Sequence, residues 1–193
     1  MPKSKPKSQR VAQRPPTVGN RMGMDLSLTG PATVVLSPTG KVLHTTRLHS
    51  KTTGAQRLSE IRDHVVATAR MFDVVDVASE YFGVAKGSGS IQIVWLHGIV
   101  NLALIEAGFP APLYIAPMVL KKLMTGDGRA EKPAMRGAVA DVCGEAFDDD
   151  NIVDAFAVAH WLGRWHAWRA GEYMGSAYAE EAVSKWKRAI GTF

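Results

Sequence analysis

Three short apolar segments separated by turns, followed by alternating helical and extended segments, constrain the fold of this chain most. The segments NRMGMDLSL, PATVVLS and KVLHTTRLH predict three strands, and the turn SPTGK predicts a hairpin between the second and third. Two further strands are predicted, a buried one over residues 73–80 and a short one over 112–117. Helices are predicted over residues 52–72, 90–108, 119–124, 134–143 and 151–169. This order predicts an α/β domain in which helices flank a five-stranded sheet.

Acidic residues stand where two of these strands end and where the last long helix begins. Asp25 ends the first strand, Glu80 ends the fourth, and Asp150 and Asp154 open the helix. Ligands of open α/β sheets collect at the carboxyl ends of parallel strands, so adjacent first and fourth strands would bring Asp25 and Glu80 together. Gathered carboxylates hold divalent cations, and two ions about 4 Å apart can stabilise the attacking and leaving oxygens of a phosphodiester. The pattern favours a metal-dependent nuclease.

The segment DDDN at the start of the last helix has two interpretations. Helical geometry lets Asp150 and Asn151, four and three residues before Asp154, approach an ion that Asp154 also binds. Alternatively, the segment only caps the helix N-terminus. Asp154 itself lies in the apolar stretch VDAFAVAHWLG, where an unpaired carboxylate costs several kcal/mol. We therefore expect a metal or another cation to compensate Asp154.

Small residues surround Asp25 in the sequence. Gly23, Ser27 and Gly30 are expected to leave room for a phosphate backbone close to this carboxylate.

Length and composition set further limits. The chain has 193 residues, 46% of them hydrophobic, which suffices for one domain with a sizeable core. No apolar run approaches the roughly 20 residues of a membrane helix, and the basic N-terminus lacks the apolar segment of a secretory signal, so we expect a cytoplasmic protein. The single cysteine, Cys143, excludes an internal disulfide and a thiolate zinc cluster and is expected to be a small core residue.

The net charge of +5 comes from the N-terminus. Five basic residues lie within residues 1–16, which contain no acidic residue, and residues 17–193 carry 18 basic against 18 acidic residues. The Pro- and Lys-rich residues 1–18 are predicted to be a disordered tail. It is either a solubilising tail or a flexible arm that finds nucleic acid through phosphate charge.

Four blocks together resemble a known family. In order and spacing, GMDLSLTGPATVVL, ASEYFGVAKGSGSIQIVWLHGIV, APMVLKKLMTGDGRAEKPAM and DNIVDAFAVAH are similar to the RuvC-type Holliday-junction resolvases, in particular a phage-encoded branch. The resemblance implies an RNase H-like fold over residues 19–170, with a C-terminal helical extension over 171–193. It also implies a homodimer on branched DNA, most often four-way junctions, with two Mg²⁺ or Mn²⁺ ions per active site. The implied location is the bacterial cytoplasm, in a phage-infected cell or at the nucleoid.

The metal ligands carry over residue by residue. Asp25, Glu80 and Asp154 match three of the family's four ligands, and the fourth position falls on Asn151. A neutral amide supplies a weaker oxygen ligand than a carboxylate, so Asp150 could substitute from one position earlier.

The resemblance also implies residues that contact DNA, but these match the family's positions less closely than the metal ligands do. Lys132 is expected to contact the scissile phosphate and stabilise its developing negative charge. The aromatic residue that the family places three residues after the glutamate corresponds here to Gly83, so a neighbouring ring would have to stack on the junction unless it belongs to the core. The expected DNA contacts are Lys121, Lys132, Lys86, Tyr81 and Phe82.

The expected reaction is hydrolysis of a phosphodiester by water that a bound metal ion activates, leaving a 5′-phosphate and a 3′-hydroxyl. One alternative is a nuclease of the same fold that cuts flaps, forks or RNA in hybrids. Another is a non-catalytic DNA-binding protein, which Asn151 alone favours. The segment MDLSLTG also resembles the phosphate loop of actin-like kinases, but the chain is too short for their two domains.

Two helical regions are left without a specific role. Trp161, Trp165 and Trp168 recur at helical spacing and are expected to pack in the core or at a dimer contact. The neighbouring His160 and His166 lack a convincing set of metal ligands. The apolar helix from Ile91 to Leu104 could contribute to a dimer interface.

Overall fold

A mixed β-sheet between two helical layers forms the body of the protein. The computed structural model describes residues 18–82 and 88–169. The strands are β1 (Asn20–Asp25), β2 (Ala32–Leu36), β3 (Val42–Arg47), β4 (Val74–Glu80) and β5 (Leu113–Ile115). The helices are α1 (Gly54–Met71), α2 (Ser88–Glu106), α3 (Pro117–Thr125), α4 (Lys132–Cys143) and α5 (Asp150–Arg169). The elements follow the predicted order, so the predicted α/β class with a five-stranded sheet is confirmed.

The order of strands in the sheet is β3-β2-β1-β4-β5. The first three strands are antiparallel, whereas β4 runs parallel to both β1 and β5. The first and fourth strands are therefore neighbours, as predicted. Their register pairs Gly23 with Ala78 and Met24 with Ser79. One position further, Asp25 and Glu80 leave the sheet side by side at the same edge.

Each face of the sheet has its own core because side chains alternate along a strand. On one face, Met22 and Met24 of β1 pack with residues of α1 and α2 such as Ile61 and Leu96. On the opposite face, the strands pack with α5, whose Phe156 is 1% exposed. Each fully buried side chain of this size contributes roughly 1.5–3 kcal/mol. Asp25 and Glu80 alternate onto the α5 face.

Helix α5 lies directly on β1 because Gly23 has no side chain. A Cβ atom at Gly23 would collide with the carbonyl oxygen of Ala155 and the backbone nitrogen of Ala159. This close packing sets Asp154, next to Ala155, at the end of β1. The expected room for phosphate at Gly23 and Gly30 was therefore wrong: helix α5 fills the space at Gly23, and the guanidinium of Arg47 fills the space at Gly30.

The helices begin and end within a few residues of the positions predicted from the sequence. Gly108, after α2, has a φ of +90°, a backbone conformation that favours glycine. Thr53 occupies the N-cap position of α1, and its side chain makes no capping hydrogen bond. The last helix begins at Asp150, one residue earlier than predicted. Trp161 is buried in the core, as expected.

Several predictions fall on residues that the structure does not describe. These are the basic tail (except Val18), the C-terminal extension, Gly83 and Lys86. Among the helices of the described ranges, none combines the length and apolar character that crossing a membrane requires.

Candidate active site

Three carboxylates meet where β1 and β4 end against the first turns of α5. Asp25 and Glu80 are the last residues of their strands, and Asp154 is the fifth residue of the helix. All three side chains are partly buried. Among the described residues, no hydrogen bond or ion pair reaches any of these carboxylates. The structure therefore brings together three of the four acidic residues that the sequence singled out and leaves these three without direct partners in the described ranges.

All three carboxylates have raised pKa values, because of burial first and of neighbouring negative charges second. Burial raises the pKa of Glu80 to about 8, and the charges of Asp154 and Asp25 add to the effect. Burial likewise raises the pKa of Asp25 to about 7, with contributions from Asp154 and Asp149. The pKa of Asp154 is raised by burial and by the charge of Asp150. A half-buried group of mutually repelling carboxylates is a place that favours a cation.

The donor set suits a hard divalent cation, because carboxylate oxygens are the ligands that Mg²⁺ and Mn²⁺ prefer. As the side chains stand, however, no three His, Cys, Asp or Glu residues in the described ranges are arranged so that they could hold a metal ion. The influence of Asp154 on the pKa values of Asp25 and Glu80, and of Asp25 on that of Glu80, shows that the three are near one another. The residues therefore fit a divalent cation in chemistry and neighbourhood, and holding one requires a change in their side-chain conformations.

Within the segment DDDN, Asp149 caps the N-terminus of α5, which is the alternative interpretation given for this segment. The carboxylate of Asp149 accepts a hydrogen bond of 2.9 Å from the backbone N–H of Asn151 and also pairs with Arg47. Its cap satisfies a backbone donor in the first turn of α5. The side-chain amide of Asn151 donates to the carbonyl oxygen of Gly30. The amide nitrogen of Asn151 makes this contact, so the amide oxygen of the same side chain remains an available acceptor.

Asp150 is engaged by two cations of α4. Its carboxylate lies 2.8 Å from Nζ of Lys132 and 2.7 Å from Nε of Arg136. These two hydrogen bonds hold the pKa of Asp150 below its usual value. Lys132 was expected near the site from the sequence, whereas Arg136 was missed. Its only sequence signal is a spacing of one helical turn from Lys132, which is common on solvated helices.

Lys121 of α3 lies within electrostatic range of the carboxylates. Its positive charge opposes the rise in the pKa of Glu80 and of Asp154, although burial prevails for both. Lys132 acts on Asp154 in the same sense. Two of the three lysines expected from the sequence, Lys121 and Lys132, are thus beside the carboxylate group, and the third, Lys86, lies outside the described residues.

An aromatic cluster follows directly on Glu80. Tyr81 is 46% exposed and stacks on Phe82, with 5.4 Å between ring centroids. Phe82 lies in turn on His97, at 4.2 Å. Burial lowers the pKa of His97 to about 4, so this ring is neutral near pH 7. On the inner side of the cluster, the hydroxyl of Tyr114 donates to the side chain of Asn101 over 2.9 Å. Tyr81 therefore presents an accessible ring, and Phe82 supports it from below.

A second buried polar contact lies deeper on the α5 face. Asp76 of β4 is 1% exposed, and its carboxylate is 2.8 Å from Nε2 of His166 on α5. It also accepts the backbone N–H of Val77 over 2.9 Å. Nothing in the sequence indicated this pair, because Asp76 and His166 are 90 positions apart.

Known proteins resemble this chain in sequence. No protein-family model matches it. A crossover junction endodeoxyribonuclease RuvC of Paenarthrobacter aurescens is 32% identical over 139 residues, which are 70% of this chain and 67% of that protein. A protein of the same name from Corynebacterium glutamicum is 28% identical over 137 residues, 68% of this chain and 54% of that protein. The chain thus spans between about half and two thirds of the length of these relatives.

Solved structures resemble it in fold. Thermus thermophilus RuvC in complex with a Holliday junction substrate has a TM-score of 0.68 and 25% identity, and the match covers 80% of this chain and 97% of that one. The yeast mitochondrial Holliday junction resolvase has a TM-score of 0.57 over 92% of this chain and 86% of that one. At 12% identity, the second match shows the fold alone.

Proposed function

Because the chain belongs to the RuvC family of crossover junction endodeoxyribonucleases, we propose that it resolves four-way DNA junctions with divalent cations held by Asp25, Glu80 and Asp154. The family resemblance inferred from the sequence is confirmed, while the phage-encoded branch stays a prediction. The observation that carries the proposal is the group of three half-buried carboxylates with raised pKa values, to which the described residues make no hydrogen bond or ion pair.

The fourth ligand position falls on Asn151 rather than on Asp150. The side-chain amide of Asn151 is fixed by its bond to Gly30, which leaves its oxygen to face a cation. Both oxygens of Asp150 are already engaged by Lys132 and Arg136. With three carboxylates and one amide, the site carries one negative charge less than four carboxylates would. Two Mg²⁺ or Mn²⁺ ions would then rely more on phosphate oxygens to complete their coordination.

When bound, divalent cations activate water and offset negative charge on the leaving oxygen of a phosphodiester. The residues of the chain prepare for this in distinct ways. Asp25, Glu80 and Asp154 fix the ions at the edge of the sheet. Lys132, exposed and beside Asp154, supplies a positive charge for the scissile phosphate. Lys121 holds a second positive charge near Glu80.

Tyr81 is the ring best placed to stack on an unpaired base. It directly follows Glu80, is 46% exposed and is supported by Phe82, which packs on His97. Stacking of a base on an aromatic ring contributes about 1–3 kcal/mol and tolerates any base. We therefore assign base stacking to Tyr81 and a supporting role to Phe82.

A homodimer would use the outer side of α2. Ile91, Trp95, Leu102 and Ile105 are each more than half exposed and follow one another at spacings of four, seven and three residues, which places them on one side of the helix. Gly98, in the middle of this stripe, has open space above it. An apolar stripe of this kind on an exposed helix suits a second copy of the same helix across a two-fold axis, which would present two identical sites to a junction.

The substitution Trp95→Glu tests the dimer. A charge in the middle of an apolar interface should convert the protein to monomers, because a buried unpaired carboxylate costs several kcal/mol. Sedimentation velocity over a concentration series would measure this, with Glu106→Gln on the same helix as control. A dimer that persists in the Trp95→Glu variant would exclude this surface.

A cleavage assay tests the function. Purified protein is incubated with a labelled four-way junction, a linear duplex and a flap, with Mg²⁺, Mn²⁺ or EDTA, and the cuts are mapped. Paired, symmetric nicks near the crossover that require metal and leave 5′-phosphates support the proposal. Equal cutting of all branched forms would instead indicate a general branched-DNA nuclease, and junction binding without cutting would indicate a non-catalytic protein.

A further inference from the structure

Two cations of α4 converge on one carboxylate of α5. Lys132 and Arg136 are one helical turn apart and are 77% and 45% exposed in their side chains. Both reach Asp150, which is only 21% exposed. Each cation takes a different oxygen of the carboxylate, Oδ2 for Lys132 and Oδ1 for Arg136. Two accessible positive groups are thus held side by side around a single anion.

This arrangement differs from an ordinary surface ion pair. Arg62 and Asp63 on α1 form such a pair at 2.7 Å, between neighbours on one helix. Asp63 is 65% exposed and binds one cation. Asp150 instead joins two cations of another helix and is itself mostly covered. The Lys132–Arg136 pair is therefore oriented by tertiary structure, which an isolated exposed pair is not.

The position of the pair is next to the candidate metal ligands. Asp150 raises the pKa of Asp154, and Lys132 lowers it, so both groups are within electrostatic range of that carboxylate. A DNA strand with a phosphate at Asp154 would therefore have its neighbouring backbone near Lys132 and Arg136 of α4. A phosphate oxygen can occupy the position of a carboxylate oxygen, because both accept charge-assisted hydrogen bonds from guanidinium and ammonium groups.

We propose that Lys132 and Arg136 form a binding site for a phosphate of the DNA backbone and that Asp150 holds the place of this phosphate in the free protein. The inference rests on the proposed function, since it concerns how the same site receives DNA. Arg136 is then a DNA-binding residue in addition to those expected from the sequence. Asp150 is a competing internal anion, and DNA must displace it to bind.

Binding of a labelled four-way junction in EDTA, measured by fluorescence anisotropy over a range of salt concentrations, tests the inference without cleavage. Loss of one phosphate contact makes the slope of log Kd against log salt concentration shallower by about 1. We expect this change for Arg136→Gln and none for the matched variant Arg62→Gln. For Asp150→Asn we expect binding tighter by on the order of fivefold, because two weak ion pairs no longer compete. The matched variant Asp63→Asn should bind like the wild type.

Two results would overturn the inference. One is an unchanged salt slope for Arg136→Gln in a variant whose melting curve shows that it is folded. The other is an Asp150→Asn protein that binds no more tightly than wild type and no longer cuts with Mg²⁺, which would make Asp150 a metal ligand. The proposed function can fail separately from this inference. A wild-type protein that does not prefer the junction over linear duplex would contradict the proposed function. The salt slopes of Arg136→Gln and Arg62→Gln could still be measured on duplex and would still test the phosphate site.

Discussion

Strand β4 carries two acidic residues on the same face, four positions apart, and the fold treats them in opposite ways. Asp76 is 1% exposed and lies 2.8 Å from the ring of His166. Glu80 lies at the edge of the sheet, where the described residues offer its carboxylate no hydrogen bond or ion pair. Burial and two neighbouring carboxylates raise the pKa of Glu80 to about 8.

The same helix faces both acids. Near its end, α5 supplies His166 to Asp76, and near its beginning it supplies another acid, Asp154, to Glu80. The fold thus gives the carboxylate of Asp76 an imidazole partner but places another carboxylate, that of Asp154, near Glu80. The difference shows that burial alone does not identify a functional acid. A functional acid is better identified by burial together with the absence of a neighbouring partner, because its partner then has to come from outside the chain.

The largest effect is expected from the carboxylates to which the described residues make no hydrogen bond or ion pair. Asp25→Asn and Asp154→Asn should each reduce junction cutting more than about 100-fold, the upper range for outer-shell partners of metal ligands. Junction binding in EDTA should stay within a few-fold of wild type. Gel assays of cutting and binding measure both, with Asp63→Asn as the control. Full cutting by both variants would contradict the metal-ligand assignment.

The next effect concerns the paired acid. Replacing His166 by Leu leaves the carboxylate of Asp76 buried without its imidazole partner, which should lower the free energy of unfolding by about 2–5 kcal/mol. Urea unfolding followed by circular dichroism measures this loss. The variant Asn101→Ala, which removes the hydrogen bond of Tyr114 on the opposite face, should lose less. An unfolding free energy equal to that of wild type would show that the Asp76–His166 contact does not stabilise the fold.

A smaller effect of opposite sign is expected at Glu80. Its pKa in the folded protein is above the ordinary value of 4.5, so the folded state disfavours the ionised form. The cost is nearly absent at pH 5, grows as pH rises and is complete above about pH 8. Glu80→Gln should therefore stabilise the metal-free protein by roughly 1–3 kcal/mol at pH 8.5 and hardly at pH 5. One pKa unit corresponds to about 1.4 kcal/mol. The expected gain is smaller than the full shift would give, because Asp25 and Asp154 contribute to the same shift and their effects are not additive.

Urea unfolding in EDTA at the two pH values measures this difference. The same variant should be inactive, so that a gain in stability accompanies a loss of cutting. A Glu80→Gln protein that is less stable than wild type at pH 8.5 would mean that Glu80 has a stabilising partner, as Asp76 has.

The sequence predicted the fold and the acidic residues because both depend on local patterns. Alternating and helical spacing set the strands and helices, and strand-end positions set Asp25 and Glu80. The adjacency of β1 and β4 followed from the rule that ligands gather at the carboxyl ends of parallel strands, and the sheet confirmed it.

What the sequence did not reveal depends on contacts between distant residues. Nothing local indicates that His166 meets Asp76, that Arg136 joins Lys132 on Asp150, or that Gly30 accepts the amide of Asn151. Gly23 was given the wrong role for the same reason. Its lack of a side chain was recognised, but the helix that uses the space begins more than 120 residues later.

Calorimetric titration of the wild-type protein with Mn²⁺ at pH 7, in two buffers that differ in their heat of ionisation, tests the central claim most directly. If Asp25, Glu80 and Asp154 are held ready for a cation, binding should release protons, because pKa values of about 7 for Asp25 and about 8 for Glu80 leave these two groups partly protonated at pH 7. The apparent heat should then depend on the buffer, and Glu80→Gln should bind more weakly and release fewer protons. Absence of binding, or equal binding and proton release in both proteins, would contradict the claim.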